Sequence, residues 1–222
     1  MITVAIGDIH GMYVMLDRLL GEIDAFALQE RWAERPRLIF LGDYVDRGPD
    51  ARQVVRRVRT LQGAFAICLR GNHEDLMARC RDRPIDSQNF LMNGGSQTLA
   101  SYAMHEEEFE DVRRWAQELP TSYEDERRIF VHAGIMPKLP IAAQTDYTKM
   151  WVRDEFLNYF GAFPKYVVHG HTPTIHYSPR QRSPDVRENR CNIDTGACCG
   201  GALSAAFFNT LEVKPFHTIS VE

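Results

Sequence analysis

"RLIFLGDYVDRG" occupies positions 37–48. Its first five residues form a short apolar run, which predicts a strand over 37–41. Gly42 ends the run, and Asp43, Asp46 and Arg47 follow within five residues. Carboxylates three residues apart repel one another, so their grouping at a strand end calls for a chemical reason.

Further apolar runs end in the same way. "VAI" runs into Gly7-Asp8-Ile9-His10-Gly11, "AICLR" into Gly71-Asn72-His73-Glu74, "IFV" into His132-Ala133-Gly134, and "YVV" into His169-Gly170-His171. With Gly42-Asp43, five predicted strand ends carry polar, ligand-type side chains, mostly beside glycine. In α/β sheets the ligand crevice lies outside the carboxyl ends of the strands, and glycine lets the backbone approach a bound group closely. Neighbouring strands would make these side chains converge. Asp, His and Asn without thiolate suit a divalent ion such as manganese, iron or zinc better than copper(I) or an iron–sulfur cluster. Asp8 and His10, two apart in an extended segment, point the same way and can share one ion. Asp43 is the natural bridge between two. Without metal, charge this dense would be strongly destabilising. Each block alone has a plainer reading: an Asx turn for "GDIHG", the first turn of a helix for "GNHE", a satisfied core histidine for His132 or His171. Five blocks after successive strands favour a site.

The rest of the chain is consistent with an α/β protein. Strands are expected at 2–6, 64–69, 128–131 and 166–169, and more through "RCNI", "LSAAFF" and "LEVKPFHTI". Leu16, Leu19, Leu20 and Ile23 mark an amphipathic helix, and Val54, Val55, Val58 and Leu61 another. An α/β beginning and a β-rich end suggest two packed sheets with helices outside. Residues 88–119 read as a helical insertion or lid, interrupted at Gly94-Gly95 and stopped by Pro120. "HEEEFED" (105–111) reads as a solvated helix face, and 180–190 as a mobile surface loop.

The 222 residues, 44% hydrophobic and 25% charged, fit one large soluble domain, and the net charge of −4 argues against a general nucleic-acid binder. No secretory leader or membrane segment is expected. Five cysteines without a CxxC pair fit reduced thiols in a cytoplasmic protein. The adjacent Cys198 and Cys199 are expected to be buried packing residues.

"GDIHG", "GDYVDRG", "GNHE", "VHAG" and "HGHT" resemble the signature blocks of the metallophosphoesterases, and "DxxDRG" resembles the phosphoprotein phosphatase branch. With "NGGSQTLASY", the chain is similar to small bacterial and phage serine/threonine protein phosphatases. The resemblance covers Gly7 to roughly Gly201. It implies a four-layer α/β/β/α sandwich of two mixed sheets, in a single catalytic domain over 1–222, with a dinuclear metal site at strand ends. One metal would take Asp8, His10 and Asp43; the other would take Asp43, Asn72, His132 and His171. Manganese is the expected ion, with iron, zinc, nickel or cobalt also suited to the set. His169 would be a neighbour, and Pro173 stands where broader relatives place a further histidine. The resemblance makes His73 the general acid held by Asp46, and Arg47, Asn72 and Arg153 the substrate-binding groups. It implies hydrolysis of phosphoserine and phosphothreonine in proteins, or of small phosphoesters, by a metal-bridging hydroxide. The alternative is a dinucleoside polyphosphate hydrolase, with Tyr102 and Trp115 as candidates to hold a base. Neither nucleic acid nor membrane is an expected partner. No oligomer interface is legible.

Overall fold

The computed structural model describes residues 1–63 and 65–222, so Ala64, first residue of the expected 64–69 strand, lies outside the described residues. Strand and helix alternate at the start: β1 Thr3–Ile6, α1 Tyr13–Gln29, β2 Arg37–Phe40, α2 Ala51–Leu61, β3 Ala66–Cys68 and α3 Asn72–Arg79. Helices α4 Pro84–Phe90, α5 Ser96–Ser101 and α6 Glu106–Glu118 follow. Then come β4 Ser122–Glu124, β5 Arg128–Val131, α7 Asp146–Trp151, α8 Asp154–Leu157 and β6 Tyr166–His169. The chain closes with β7 Asp185–Val186, β8 Arg190–Asn192, β9 Leu203–Phe208 and β10 His217–Val221.

The strands form two five-stranded mixed sheets, ordered β10-β9-β1-β2-β3 and β4-β5-β6-β8-β7. β1, β2 and β3 are parallel, as are β5, β6 and β8. Antiparallel strands flank each trio. Side chains alternate across a strand, so each central strand serves two cores. Val4, Ile6, Leu38 and Phe40 pack with Leu16 and Leu19 of α1, Val54 and Val58 of α2, and Val112 of α6. Ala5, Ile39, Phe130, Val168 and Phe208 pack between the sheets. Ile129, Val131 and Val167 turn the other way, onto Phe156 of α8. The result is helix, sheet, sheet, helix. Each fully buried Leu, Ile or Phe contributes about 1.5–3 kcal/mol, so a charge at Ile39, between the sheets, would separate the layers.

The expected Gly94-Gly95 interruption is present, as a kink at Gly94 between α4 and α5. Gly94 has φ 101°, a left-handed conformation that glycine tolerates without strain. The acidic face of 105–111 is not simply solvated, because α2 carries arginines opposite it: Arg52 and Arg56 bond Glu108, and Arg59 bonds Asp111. Within the 180–190 loop, β7 pairs with β8 and adds an edge strand. Among the described residues no helix is long and apolar enough to cross a membrane.

Candidate metal centre

The polar strand ends meet. Ile9 and His10 donate their backbone N–H groups to the Asp43 carbonyl at 3.0 and 2.8 Å, which joins the loops after β1 and β2. The His73 N–H donates to Asp43 Oδ1 at 3.1 Å, which brings in the start of α3. His132 Nδ1 donates to the Leu41 carbonyl at 3.0 Å and links the second sheet to the first. The His171 N–H donates to the Asp8 carboxylate at 3.0 Å. Gly170 precedes it because a Cβ there would lie 2.1 Å from Asp8 Oδ1. Likewise a Cβ on Gly71 would lie 2.1 Å from Asp43 Oδ1.

Among the described residues, five of the seven non-glycine residues with positive φ belong to this centre: His10, Asp43, Asp46, Arg47 and His171. Left-handed backbone costs such residues roughly 1–2 kcal/mol each, and such strain concentrates at functional sites. The surrounding hydrogen bonds offset it.

Two groups of donor atoms lie within 4.8 Å of one another: His10, Asp43 and His73, and Asp43, His132 and His171. Asp43 belongs to both. Its Oδ2 lies 3.4 Å from His10 Nε2, and its Oδ1 lies 3.3 Å from His132 Nε2. Asn72 Oδ1 sits 2.8 Å from His132 Nε2 and 2.9 Å from His171 Nδ1. Asp8 is buried nearby but turns its carboxylate to His171, and His73 takes its place in the first group. The extended geometry expected for Asp8 and His10 does not hold, because His10 has φ 47° and turns the chain.

The donors suit a divalent ion. His132 and His10 spend their Nδ1 hydrogens on the carbonyls of Leu41 and Val45, so both Nε2 lone pairs face inward. Both face oxygens of Asp43, and His132 Nε2 also meets Asn72 Oδ1. Oxygen and imidazole nitrogen without sulfur match first-row divalent ions. The charges point the same way. Burial and the charges of Asp194 and Asp43 raise the Asp8 carboxyl well above its ordinary value. Burial raises Asp43 too, but His132 and His73 outweigh it and hold Asp43 well below.

Beside these groups, His73 Nδ1 meets Asp46 Oδ2 at 2.7 Å, with both residues buried. Burial pushes Asp46 up to about 8 and His73 down to about 4, so the pair shares one added proton. Arg47 donates to His10 Nε2 and His73 Nε2, each at 2.9 Å. Arg153 donates through Nε to His171 Nε2 at 3.0 Å. The structure therefore brings Asp8, His10, Asp43, Asp46, Arg47, Asn72, His73, His132, Arg153 and His171 together. His169 stands apart, edge-on to Phe156, and among the described residues its Nε2 has no partner. Tyr102 and Trp115 are buried in the core and offer no surface to a base.

Cys198 and Cys199 are not buried packing residues. Their short 3₁₀ turn lies between left-handed Gly196 and Gly200 and points Ala197 inward. Cys199 is exposed, and Cys198 is half-buried with its sulfur 3.5 Å from that of Cys199. All five cysteines are free.

Three residues escaped the sequence reading. Glu74 looks like a helix-start residue, yet its carboxylate accepts the N–H groups of Gly71, Asp43 and Tyr44 at 3.0, 2.7 and 2.8 Å. Thr98 contacts Asp46. Asp194, raised to about 6 by burial, accepts the Gly196 N–H and adds a carboxylate near Asp8. Asp194 alone left a signal, a carboxylate directly after "CNI" and two residues before glycine.

A family model described as calcineurin-like phosphoesterase matches residues 1–200. A symmetrical bis(5'-nucleosyl)-tetraphosphatase from Janthinobacterium sp. (strain Marseille) is 33% identical over 147 residues, 65% of this chain and 47% of that protein. The chain thus spans about half the length of that relative. Serine/threonine-protein phosphatase 1 of Salmonella typhimurium is 30% identical over 209 residues, 90% of this chain and 89% of that protein. A solved structure described as a candidate diadenosine tetraphosphatase aligns with TM-score 0.65 at 24% identity, covering 99% of this chain and 92% of that one. That last likeness supports the fold alone.

Proposed function

The chain belongs to the calcineurin-like phosphoesterase family, and from that premise we propose that it is a metal-dependent phosphomonoesterase acting on phosphoserine and phosphothreonine side chains. One catalytic domain over 1–222 carries the activity. The observation that carries this reading is Asp43 shared between two donor groups, with the His73–Asp46 pair alongside. Asp8, His10 and Asp43 would hold one divalent ion; Asp43, Asn72, His132 and His171 would hold the other, with manganese the preferred ion. Such ions, when bound, supply a water activated at neutral pH and a clamp on the phosphoryl oxygens.

The remaining work falls to this chain's own side chains. Asp46 anchors His73 through Nδ1, so that Nε2 faces the site and can protonate the departing alkoxide. Arg47 and Arg153 aim N–H donors at the imidazoles of the centre. A phosphate arriving there would draw both guanidinium groups onto its oxygens, a charge-assisted contact that suits their planar fork. Asn72, at the first turn of α3, adds its amide at the edge of that phosphate.

The similarity to the Salmonella protein phosphatase across nine-tenths of both chains favours a phosphoprotein substrate. The burial of Tyr102 and Trp115 removes both candidate base-holding rings. A second reading, hydrolysis of a dinucleoside polyphosphate, draws on a different pair. Exposed Tyr147 stacks on Trp151 at 6.1 Å, and Trp151 sits edge-on to His171 at 6.2 Å. A base could add to that stack. The test compares kcat/KM for a phosphothreonine peptide and for diadenosine tetraphosphate at one manganese concentration. The peptide should be favoured. Preference for the dinucleotide beyond about tenfold, roughly 1.4 kcal/mol, replaces the first reading with the second.

A further inference from the structure

We propose that Thr98 is a positioning residue for the acid pair, and that α5 with the Gly94 kink before it forms the brace that aims His73. This inference rests on the acid role given to His73 above. Thr98 is fully buried. Its hydroxyl oxygen accepts the Asp46 N–H at 2.8 Å and donates its own hydrogen to Asp46 Oδ1 at 2.6 Å. Among the described residues no other donor reaches Oδ1. The opposite oxygen, Oδ2, holds His73 Nδ1 at 2.7 Å. One hydroxyl therefore sets both the backbone and the carboxylate plane of the residue that sets the imidazole.

The same brace holds the next residue. The Arg47 N–H donates to the Gly94 carbonyl at 3.1 Å. A Cβ on Gly94 would lie 2.8 Å from Arg47 Cγ, so glycine is required where the turn meets the arginine. Asp46 and Arg47 are consecutive residues with φ 71° and 69°. Two adjacent left-handed residues persist only when the surroundings over-determine them. Thr98 and Gly94 supply one contact to each. The kink at Gly94 turns the helical path so that both contacts are delivered. The helical stretch therefore acts as a fixed support for the catalytic loop.

The chemistry separates this role from simple packing. Protonation of the leaving group matters most for an alkyl phosphate and least for an aryl phosphate with an acidic phenol. Thr98→Val keeps the shape and removes the hydroxyl. On a phosphothreonine peptide it should lower kcat by roughly 10–100-fold, the range for partners that orient a functional group. On p-nitrophenyl phosphate the loss should stay below about fivefold, a small part of a general acid's usual effect. Manganese content and KM should stay near those of the parent protein. Thr98→Ser, which keeps the hydroxyl, should restore the peptide rate.

Equal losses on the two substrates, or no rescue by serine, overturn the assignment. If the valine variant fails to fold, Thr98→Ala and Thr98→Ser purified side by side give the same comparison. His73→Asn run in parallel separates the two layers of the argument. A leaving-group effect in His73→Asn but not in Thr98→Val sinks the brace alone. No leaving-group effect in His73→Asn sinks the acid role, and the Thr98 proposal falls with it.

Discussion

Arg47 and Arg153 each reach an imidazole of the centre, one from each half of the chain, yet they are anchored very differently. Arg47 leaves a left-handed backbone whose N–H is held by Gly94; its guanidinium bonds His10 and His73. The loop around it is braced by two buried side chains, Glu74 beneath Asp43 and Thr98 beneath Asp46. Arg153 precedes the four-residue helix α8, and among the described residues its side chain makes one hydrogen bond, to His171. Its neighbours Tyr147 and Trp151 form an aromatic shelf that is open to solvent at Tyr147. A preorganised side serves chemistry, because fixed donors need no rearrangement as charge develops. A lightly held side can adapt to different substrates. On the proposed reading, the first half of the chain would be the reactive side of the site and α7–α8 its selective side.

Asp43 is the point where this contrast should vanish. Asp43→Asn removes charge from both donor groups at once. Metal content should fall toward one ion per chain or below, and activity should fall further than for loss of the acid. Full two-metal occupancy with normal turnover would break the shared-carboxylate assignment. His73→Asn should then strike the preorganised side alone, cutting turnover on alkyl phosphates by roughly 10²–10⁴ while both ions stay bound. Metal analysis beside single-turnover rates checks it.

The two arginines offer the direct comparison. Arg47→Ala should weaken inorganic phosphate inhibition and lower kcat/KM by about 10²-fold, as loss of a fixed charge-stabilising donor does. Arg153→Ala should cost no more than about tenfold, mainly in KM. If the two variants lose equally, the difference in anchoring has no functional meaning. The smallest effect belongs to the shelf. Tyr147→Ala should leave phosphothreonine peptide hydrolysis within about twofold and should lower kcat/KM for diadenosine tetraphosphate by about 2–10-fold, in keeping with one lost ring-stacking contact. An unchanged ratio of the two rates would remove the shelf from substrate selection.

Much of the centre was legible in the chain. A ligand in an α/β fold sits beyond the strand ends, so the rule "apolar run, glycine, polar donor" located Asp8, Asp43, Asn72, His132 and His171 by local pattern. Short apolar runs likewise placed the strands, and the 3.6-residue period placed the buried face of α1. The failures share a cause. Residue type predicts an interior place for Cys198 and Cys199, but on a 3₁₀ turn between two left-handed glycines Cys199 is exposed and Cys198 half-buried. The acidic stretch at 105–111 reads as solvated, although the arginines that meet it lie on α2, 56 residues away for the Arg52–Glu108 pair.

By itself the sequence determined which atoms could bind a metal ion and on which strand ends they stand, because those are consequences of residue chemistry and local backbone geometry. Only the tertiary structure decided how those atoms are held. Glu74 meets Asp43 across 31 residues and Thr98 meets Asp46 across 52. Asp8 turns to His171 across 163. A carboxylate or hydroxyl at such a distance carries no local mark of its partner. Its role exists only once packing has removed water and left each buried donor and acceptor to find a partner within the protein.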